Sequence, residues 1–223
     1  MRTLVFLILM ALSPFVYAQN REDIDPADVE SGAIFDDRKM LEGYAQRFSD
    51  MPQDVLLAII ADDAINSYKS AAAVRVFKVN FAHEILAKEK PAIIKILWHR
   101  LNRTDSVFTQ IEIMHTLIVL DRYQYFESMI QGLILKLDHY NQVASDLAYL
   151  DLIDITKPST RTREARIVFN TLRKMMFLSR NYLAKVDEPD AKLRHKIDLL
   201  RWAIKILGTQ ELKRLPQEVI RLL

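Results

Sequence analysis

Residues 94–117, IKILWHRLNRTDSVFTQIEIMHTL, align without a gap on residues 130–153, IQGLILKLDHYNQVASDLAYLDLI. Ile94, Leu97, Leu101, Val107, Ile111 and Leu117 fall on Ile130, Leu133, Leu137, Val143, Leu147 and Ile153, each 36 residues later. The polar turn repeats as well: Asn102 matches Asp138, and Asp105 matches Asn141. Apolar residues three and four apart mark the face of a helix, and a short polar run with Asx residues stops one helix and caps the next. The unit is therefore a helical hairpin. One hairpin cannot bury both its apolar faces, so it has to stack on its neighbours.

Composition supports helices throughout. Glycine occurs only four times, at Gly32, Gly43, Gly132 and Gly208, whereas sheet proteins need it for hairpin turns. Leu, Ile, Ala, Lys, Arg and Glu, which favour helix, are abundant. The reading is all-α: a short α-solenoid of antiparallel helical hairpins over 36–156, followed by a long basic C-terminal hairpin over 157–223 packed on the repeats. An earlier and weaker copy of the unit places Leu56 and Ile60 on Leu97 and Leu101, and Tyr68 and Ala72 on Val107 and Ile111.

Within this plan a helix opens at Asp36 or Asp37 and ends near Phe48. Asp50 caps a helix that starts at Pro52 and ends at Ile60. Helices then span about 64–87, 91–101, 105–120, 123–137 and 141–155. In the last third, Val168, Leu172, Met175, Ser179, Tyr182 and Val186 form a seam on one helix running from Arg161 to Val186. Leu193, Ile197, Leu200, Ile204 and Leu207 form its antiparallel partner, closed by Gly208.

The pattern over residues 52–156 resembles HEAT-type α-solenoid repeats. That family carries a Val-Arg pair early in its second helix. Here Val107 and Val143 are followed by Phe108 and Ala144, and Tyr68-Lys69 with Ala72 resembles the pair most. The period is shorter than the roughly 40–47 residues usual in that family. The resemblance implies an extended surface for binding other proteins. The alternative is an irregular helical bundle.

The first 18 residues read as a secretory signal. Arg2 gives a positive start, Leu4–Leu12 (LVFLILMAL) a short apolar core, and Val16-Tyr17-Ala18 a cleavage site. The mature chain is expected to begin at Gln19 and to be periplasmic or secreted. Residues 19–35 read as an acidic leader. Cysteine is absent, which excludes disulfides, thiolate metal sites and a cysteine nucleophile.

Charge is unevenly spread. Between Gln19 and Asp63 there are 12 acidic and 4 basic residues; between Lys157 and Leu223 there are 7 acidic and 16 basic. Arg166, Arg173 and Arg180 are candidates for an interaction surface on the basic hairpin, facing an acidic protein, anionic lipid headgroups or the acidic end of a second copy. Export argues against nucleic acid.

No catalytic motif stands out. His83-Glu84 begins like a zincin motif, but residue 87 is alanine. No cofactor or metal is expected. The repeat register sets His115 opposite Asp151, a pair expected to hydrogen-bond within the fold. Glu112, Asp151 and Asp154 complete the candidate interaction surface. The expected function is a non-catalytic protein-interaction module, a subunit of an envelope assembly. The alternative is an all-helical enzyme acting on an envelope polymer, its acid drawn from Glu84, Glu112 or Asp151.

Overall fold

The computed structural model describes residues 36–223. The expected signal over 1–18 and leader over 19–35 lie outside the described residues. Among the described residues every regular element is helical.

Helix α1 spans Asp37–Phe48, α2 Gln53–Ala61 and α3 Ser67–Asn80. They are followed by α4 (Lys90–Arg103), α5 (Val107–Leu120), α6 (Arg122–Lys136) and α7 (Gln142–Thr156). The C-terminal part holds α8 (Thr162–Leu178), a short α9 (Arg180–Leu183) and α10 (Ala191–Leu207). A 3₁₀ turn at Thr209–Arg214 and a last short helix, α11 (Gln217–Ile220), complete the chain.

Capping side chains set many of these starts. Asp36 accepts from the amides of Arg38 and Lys39, Asn66 from Tyr68, Asn141 from Ala144 and Asp190 from Leu193. Such caps satisfy backbone donors that the first turn leaves without partners. Two expected caps move by a residue or two. Ser106, not Asp105, caps α5, because its hydroxyl reaches the Thr109 amide. Pro52, not Asp50, occupies the cap position of α2, without a side-chain hydrogen bond.

The hairpins α2–α3, α4–α5, α6–α7 and α8–α10 are antiparallel pairs that stack in order. First helices pack α2 on α4 and α6 on α8, and the Trp98 and Tyr125 rings join α4 to α6 at 6.1 Å. Second helices pack α3 on α5, α5 on α7, and α7 on α10. Helix α5 lies at the centre and touches α3, α4, α6 and α7. Its sequence VFTQIEIMHTLIVL is buried on almost every side, as a helix apolar all round should be.

Helix α1 is set across this second layer. Met40, Leu41, Tyr44 and Phe48 bury its inner face, mostly against α3. The Asp37 carboxylate takes hydrogen bonds from Tyr68 at the start of α3 and from Asn141 at the cap of α7. Arg38 pairs with Asp146 at 3.5 Å. A helix tied to the starts of both α3 and α7 must bridge over α5, which lies between them.

The 36-residue register holds at its centre and loosens at its ends. Leu97 and Leu133 are both fully buried, as are Ile111 and, nearly, Leu147. Leu137 is fully buried, but Leu101, expected in the same slot, is only partly so. Two long helices are shorter than expected. The helix expected over 64–87 begins at Ser67 and ends at Asn80, and turns carry the chain through 81–84.

The helix expected to run from Arg161 to Val186 stops at Leu178, with Ser179 in a bridge conformation of φ −95° and ψ 6°. The break rotates the segment beyond it. Met176 and Leu183 enter the core, whereas Ser179 and Tyr182, expected in the seam, are exposed. The seam of α10 is closer to expectation, with Leu193, Ile197, Leu200 and Leu207 buried and Ile204 partly so. Gly208 ends it at φ 101°, a left-handed conformation suited to glycine.

Candidate functional site

Each of the three central second helices carries a polar pair three residues apart: Arg75 and Lys78 on α3, Glu112 and His115 on α5, Asp151 and Asp154 on α7. That spacing puts both members of a pair on one helical face. Side-by-side packing of α3, α5 and α7 then brings the three faces together.

The cluster centres on Lys78. Its ammonium lies 2.9 Å from Glu112 Oε2, 2.8 Å from His115 Nδ1 and 3.3 Å from Asp151 Oδ1. Arg75 Nε holds the other oxygen of Glu112 at 2.7 Å. His115 bridges onward, with Nδ1 at 3.0 Å from Asp151 Oδ1 and Nε2 at 3.2 Å from Asp154 Oδ2. Nδ1 thus faces a donor in the Lys78 ammonium and an acceptor in the Asp151 carboxylate, and the tautomer of the ring decides which of the two it bonds; Nε2 faces the Asp154 acceptor.

Burial makes these contacts strong. Glu112 is fully buried, and Lys78, His115 and Asp151 are each below a tenth exposed. Charges out of water are tolerated only when paired. Burial alone would raise the Asp151 carboxyl; the Lys78 ammonium and the His115 ring outweigh that and hold it below the usual carboxylate range. Burial alone would lower Lys78, and the Glu112 and Asp151 charges hold it above the ordinary lysine value. Only Asp154, at the rim, is largely exposed. The Asp151 Oδ2 atom has no hydrogen-bond partner among the described residues.

Three of the six candidate surface residues, Glu112, Asp151 and Asp154, are thus gathered around His115. Two of them are not surface residues: Glu112 and Asp151 are buried because the faces that carry them look into the stack. The His115–Asp151 pairing read from the repeat register is present. Arg75 and Lys78 were not among the candidates, although the recurrence of polar pairs at 75/78, 112/115 and 151/154 is visible in the sequence. Glu84, the third candidate acid, is exposed in the turn after α3 and is bonded to none of these groups.

The candidate arginines are engaged in different ways. Arg166 is held at 2.5 Å by Glu211 of the 3₁₀ turn. Arg173 is half-buried on α8. Arg180 lies beyond the break, its guanidinium 5.0 Å from the centre of the Phe177 ring. Elsewhere on the basic hairpin, Arg122 of α6 grips the buried Glu164 with two hydrogen bonds of 2.8 and 2.7 Å, tying α6 to α8. Lys196 pairs with Asp138 at 2.5 Å and ties α10 to the α6–α7 turn.

A groove of about 570 Å³ runs past the start of α3 and the end of α4. Asp63 there meets Arg103 at 2.8 Å and Arg100 and His99 at 3.4 Å, so its charges are matched within the chain. Among the described residues no group of three His, Asp or Glu side chains is placed to hold a metal ion. Among them, too, no helix is long and apolar enough to cross a membrane. No known family model, characterised protein or solved structure matches the chain.

Proposed function

We propose that this chain is an exported, non-catalytic interaction module, built from HEAT-like hairpins and working as a subunit of an envelope assembly. The observation that carries the reading is the pairing of the buried charges with one another. Both oxygens of Glu112 are taken by Arg75 and Lys78, and Asp151 is held as a carboxylate by Lys78. A general acid needs a proton to give near neutral pH, and Asp151 is shifted the wrong way for that. The cluster therefore acts as internal bracing, and the exposed face of the stack is left to do the binding.

The partner reading rests on the second-helix layer. Solenoids bind along such extended faces. Beside α1, this layer presents Val79 and Leu150, which are 68% and 60% exposed, together with Asp154. The test is affinity purification from envelope extracts with the wild type and with Leu150→Arg/Asp154→Lys. A protein recovered by the wild type and lost with the double variant supports the reading. Turnover of a purified envelope polymer, abolished by Asp151→Asn, would replace it with the enzyme. Export is tested separately by sequencing the N-terminus of the protein isolated from its host; a start at Gln19 is expected, and retention of Met1 in the cytoplasm refutes it.

A further inference from the structure

The break between α8 and α9 leaves an unusual corner on the surface. Phe177 is 53% exposed, Leu178 78% and Tyr182 59%. Phe177 and Leu178 are adjacent, so on the last turn of α8 they point in directions about 100° apart. They cannot both reach into one helix-sized slot. The corner is continuous with an apolar groove between α6 and α8, where Leu178, Met175 and the 59%-exposed Leu135 line the walls.

Past Glu164, which Arg122 holds, the charge along α8 and α9 has one sign, and the Asp138 carboxylate beside Tyr182 is paired with Lys196. From residue 165 to residue 186 the chain has no acidic residue and carries Arg166, Arg173, Lys174, Arg180 and Lys185. Arg166 is matched by Glu211. Arg173, Lys174 and Lys185 have no ion-pair partner among the described residues, and Arg180 lies against the Phe177 ring. Acidic residues begin again beyond α9: Asp187 and Glu188 in the next loop, and Asp190, which is engaged as the cap of α10.

We infer that the α8–α9 corner is a docking site for an anionic lipid surface, with Phe177, Leu178 and Tyr182 entering the headgroup region and Lys174, Arg180 and Lys185 meeting lipid phosphates. A flat, deformable partner suits side chains that project in divergent directions, where a preformed protein pocket would suit one protruding face. Apolar and aromatic side chains settle at the boundary between headgroups and acyl chains, and basic residues beside them add attraction to anionic lipid. The break at Ser179 is what creates this arrangement: an unbroken helix would have carried Tyr182 into the seam against α10. The inference does not depend on the proposed protein partner, since it concerns a different face of the stack.

The test uses the chain from Gln19 onward, which keeps every described residue and omits the apolar run Leu4–Leu12 that would itself bind lipid. It is sedimented with phosphatidylcholine vesicles with and without phosphatidylglycerol, at low and high salt. Association with the anionic vesicles only, weakened by salt, is expected. Lys174→Gln/Arg180→Gln should weaken it about fivefold per charge removed. Phe177→Ser/Leu178→Ser should weaken it at least tenfold, from the apolar area no longer buried. Lys95→Gln on the exposed side of α4 should leave it unchanged, and all the variants should melt like the wild type because these side chains are exposed. Absence of binding, equal binding to uncharged vesicles, or wild-type binding by both double variants overturns the inference. Self-association that the same substitutions abolish, without vesicle binding, assigns the corner to a second copy and overturns it too.

Discussion

Replacing Lys78 with methionine should be among the most damaging single changes this fold can suffer. The side chain is only 10% exposed and is the shared counter-ion of two buried carboxylates, Glu112 Oε2 at 2.9 Å and Asp151 Oδ1 at 3.3 Å. Methionine keeps most of the volume and removes the charge. Glu112 would retain Arg75, but Asp151 would be left with the His115 ring alone. Breaking a buried ion pair from one side costs about 3–5 kcal/mol, a large part of the ~5–15 kcal/mol that holds a domain together. For a chain of this size that lowers the melting temperature by roughly 6–20 °C.

The measurement is thermal and urea unfolding followed by far-UV circular dichroism, at several pH values. In the wild type the lowered Asp151 group stabilises the fold above its unfolded pKa, and that stabilisation is lost as pH falls through the folded value. In the variant, burial without a counter-ion reverses the sign, so protonating Asp151 relieves the fold. The gap between variant and wild type should therefore narrow as pH falls. Adding Asp151→Asn to Lys78→Met should recover part of the loss at neutral pH. A Lys78→Met penalty below about 1 kcal/mol, the range of ordinary surface changes, would refute the claim that this cluster is a buried brace.

Other consequences are simpler to test by the same unfolding measurements. Leu137→Ala should cost about 2–5 kcal/mol because Leu137 is fully buried, and Leu101→Ala distinctly less because Leu101 is half-buried; equal losses would restore the equivalence that the repeat alignment implies. Gly208→Ala should cost about 1–2 kcal/mol, since residue 208 sits at φ 101° and an added Cβ would meet the Gln210 side chain. Stability of the wild type should hold through neutral pH and decline below about pH 4, because Glu164 as well as Asp151 is held below its ordinary value. Burial would raise Glu164, and hydrogen bonds from Arg122 and Ser159 outweigh that. A decline that begins near pH 6 instead would point to histidine as the controlling group.

The hairpin stack was legible because it is written in apolar spacing. Leu97 and Leu133, 36 residues apart, occupy matching buried positions, and the caps at Asp36, Asn141 and Asp190 stand where Asx residues precede apolar runs. The end of α8 was not legible. The spacing Met175, Ser179, Tyr182, Val186 satisfies a coiled-coil seam, yet Met176 and Leu183 offer a second register with larger apolar side chains, and tertiary packing chooses it. Helix α1 crossing to α7 was also out of reach, since Asp37 and Asn141 meet across 104 residues without any local signal. In the polar cluster, His115 and Asp151 could be paired from the repeat. Lys78 has only the recurrence of the polar pairs to mark it, because taken singly in AAAVRVFKVN it looks like the solvated edge of an amphipathic helix. Only the stacking of α3 against α5 turns that edge inward.

The cluster also explains how near-repeats avoid stacking wrongly. Apolar hairpins with matching patterns fit one another in more than one order or register, because Leu97 and Leu133 present nearly the same shape to a neighbour. Charges remove that freedom. Helix α3 contributes two cations, α5 a carboxylate and a histidine, and α7 two carboxylates, and in the observed stack both buried carboxylates, Glu112 and Asp151, reach Lys78. Sliding α5 by one turn, about 5.4 Å, would carry Glu112 beyond the reach of Lys78 and His115 away from Asp151. Buried polar groups of this kind contribute little net stability over an apolar core but penalise every alternative arrangement heavily. The apolar repeat thus supplies the drive to stack, and the buried charges at 75, 78, 112 and 151 make a shifted register costly.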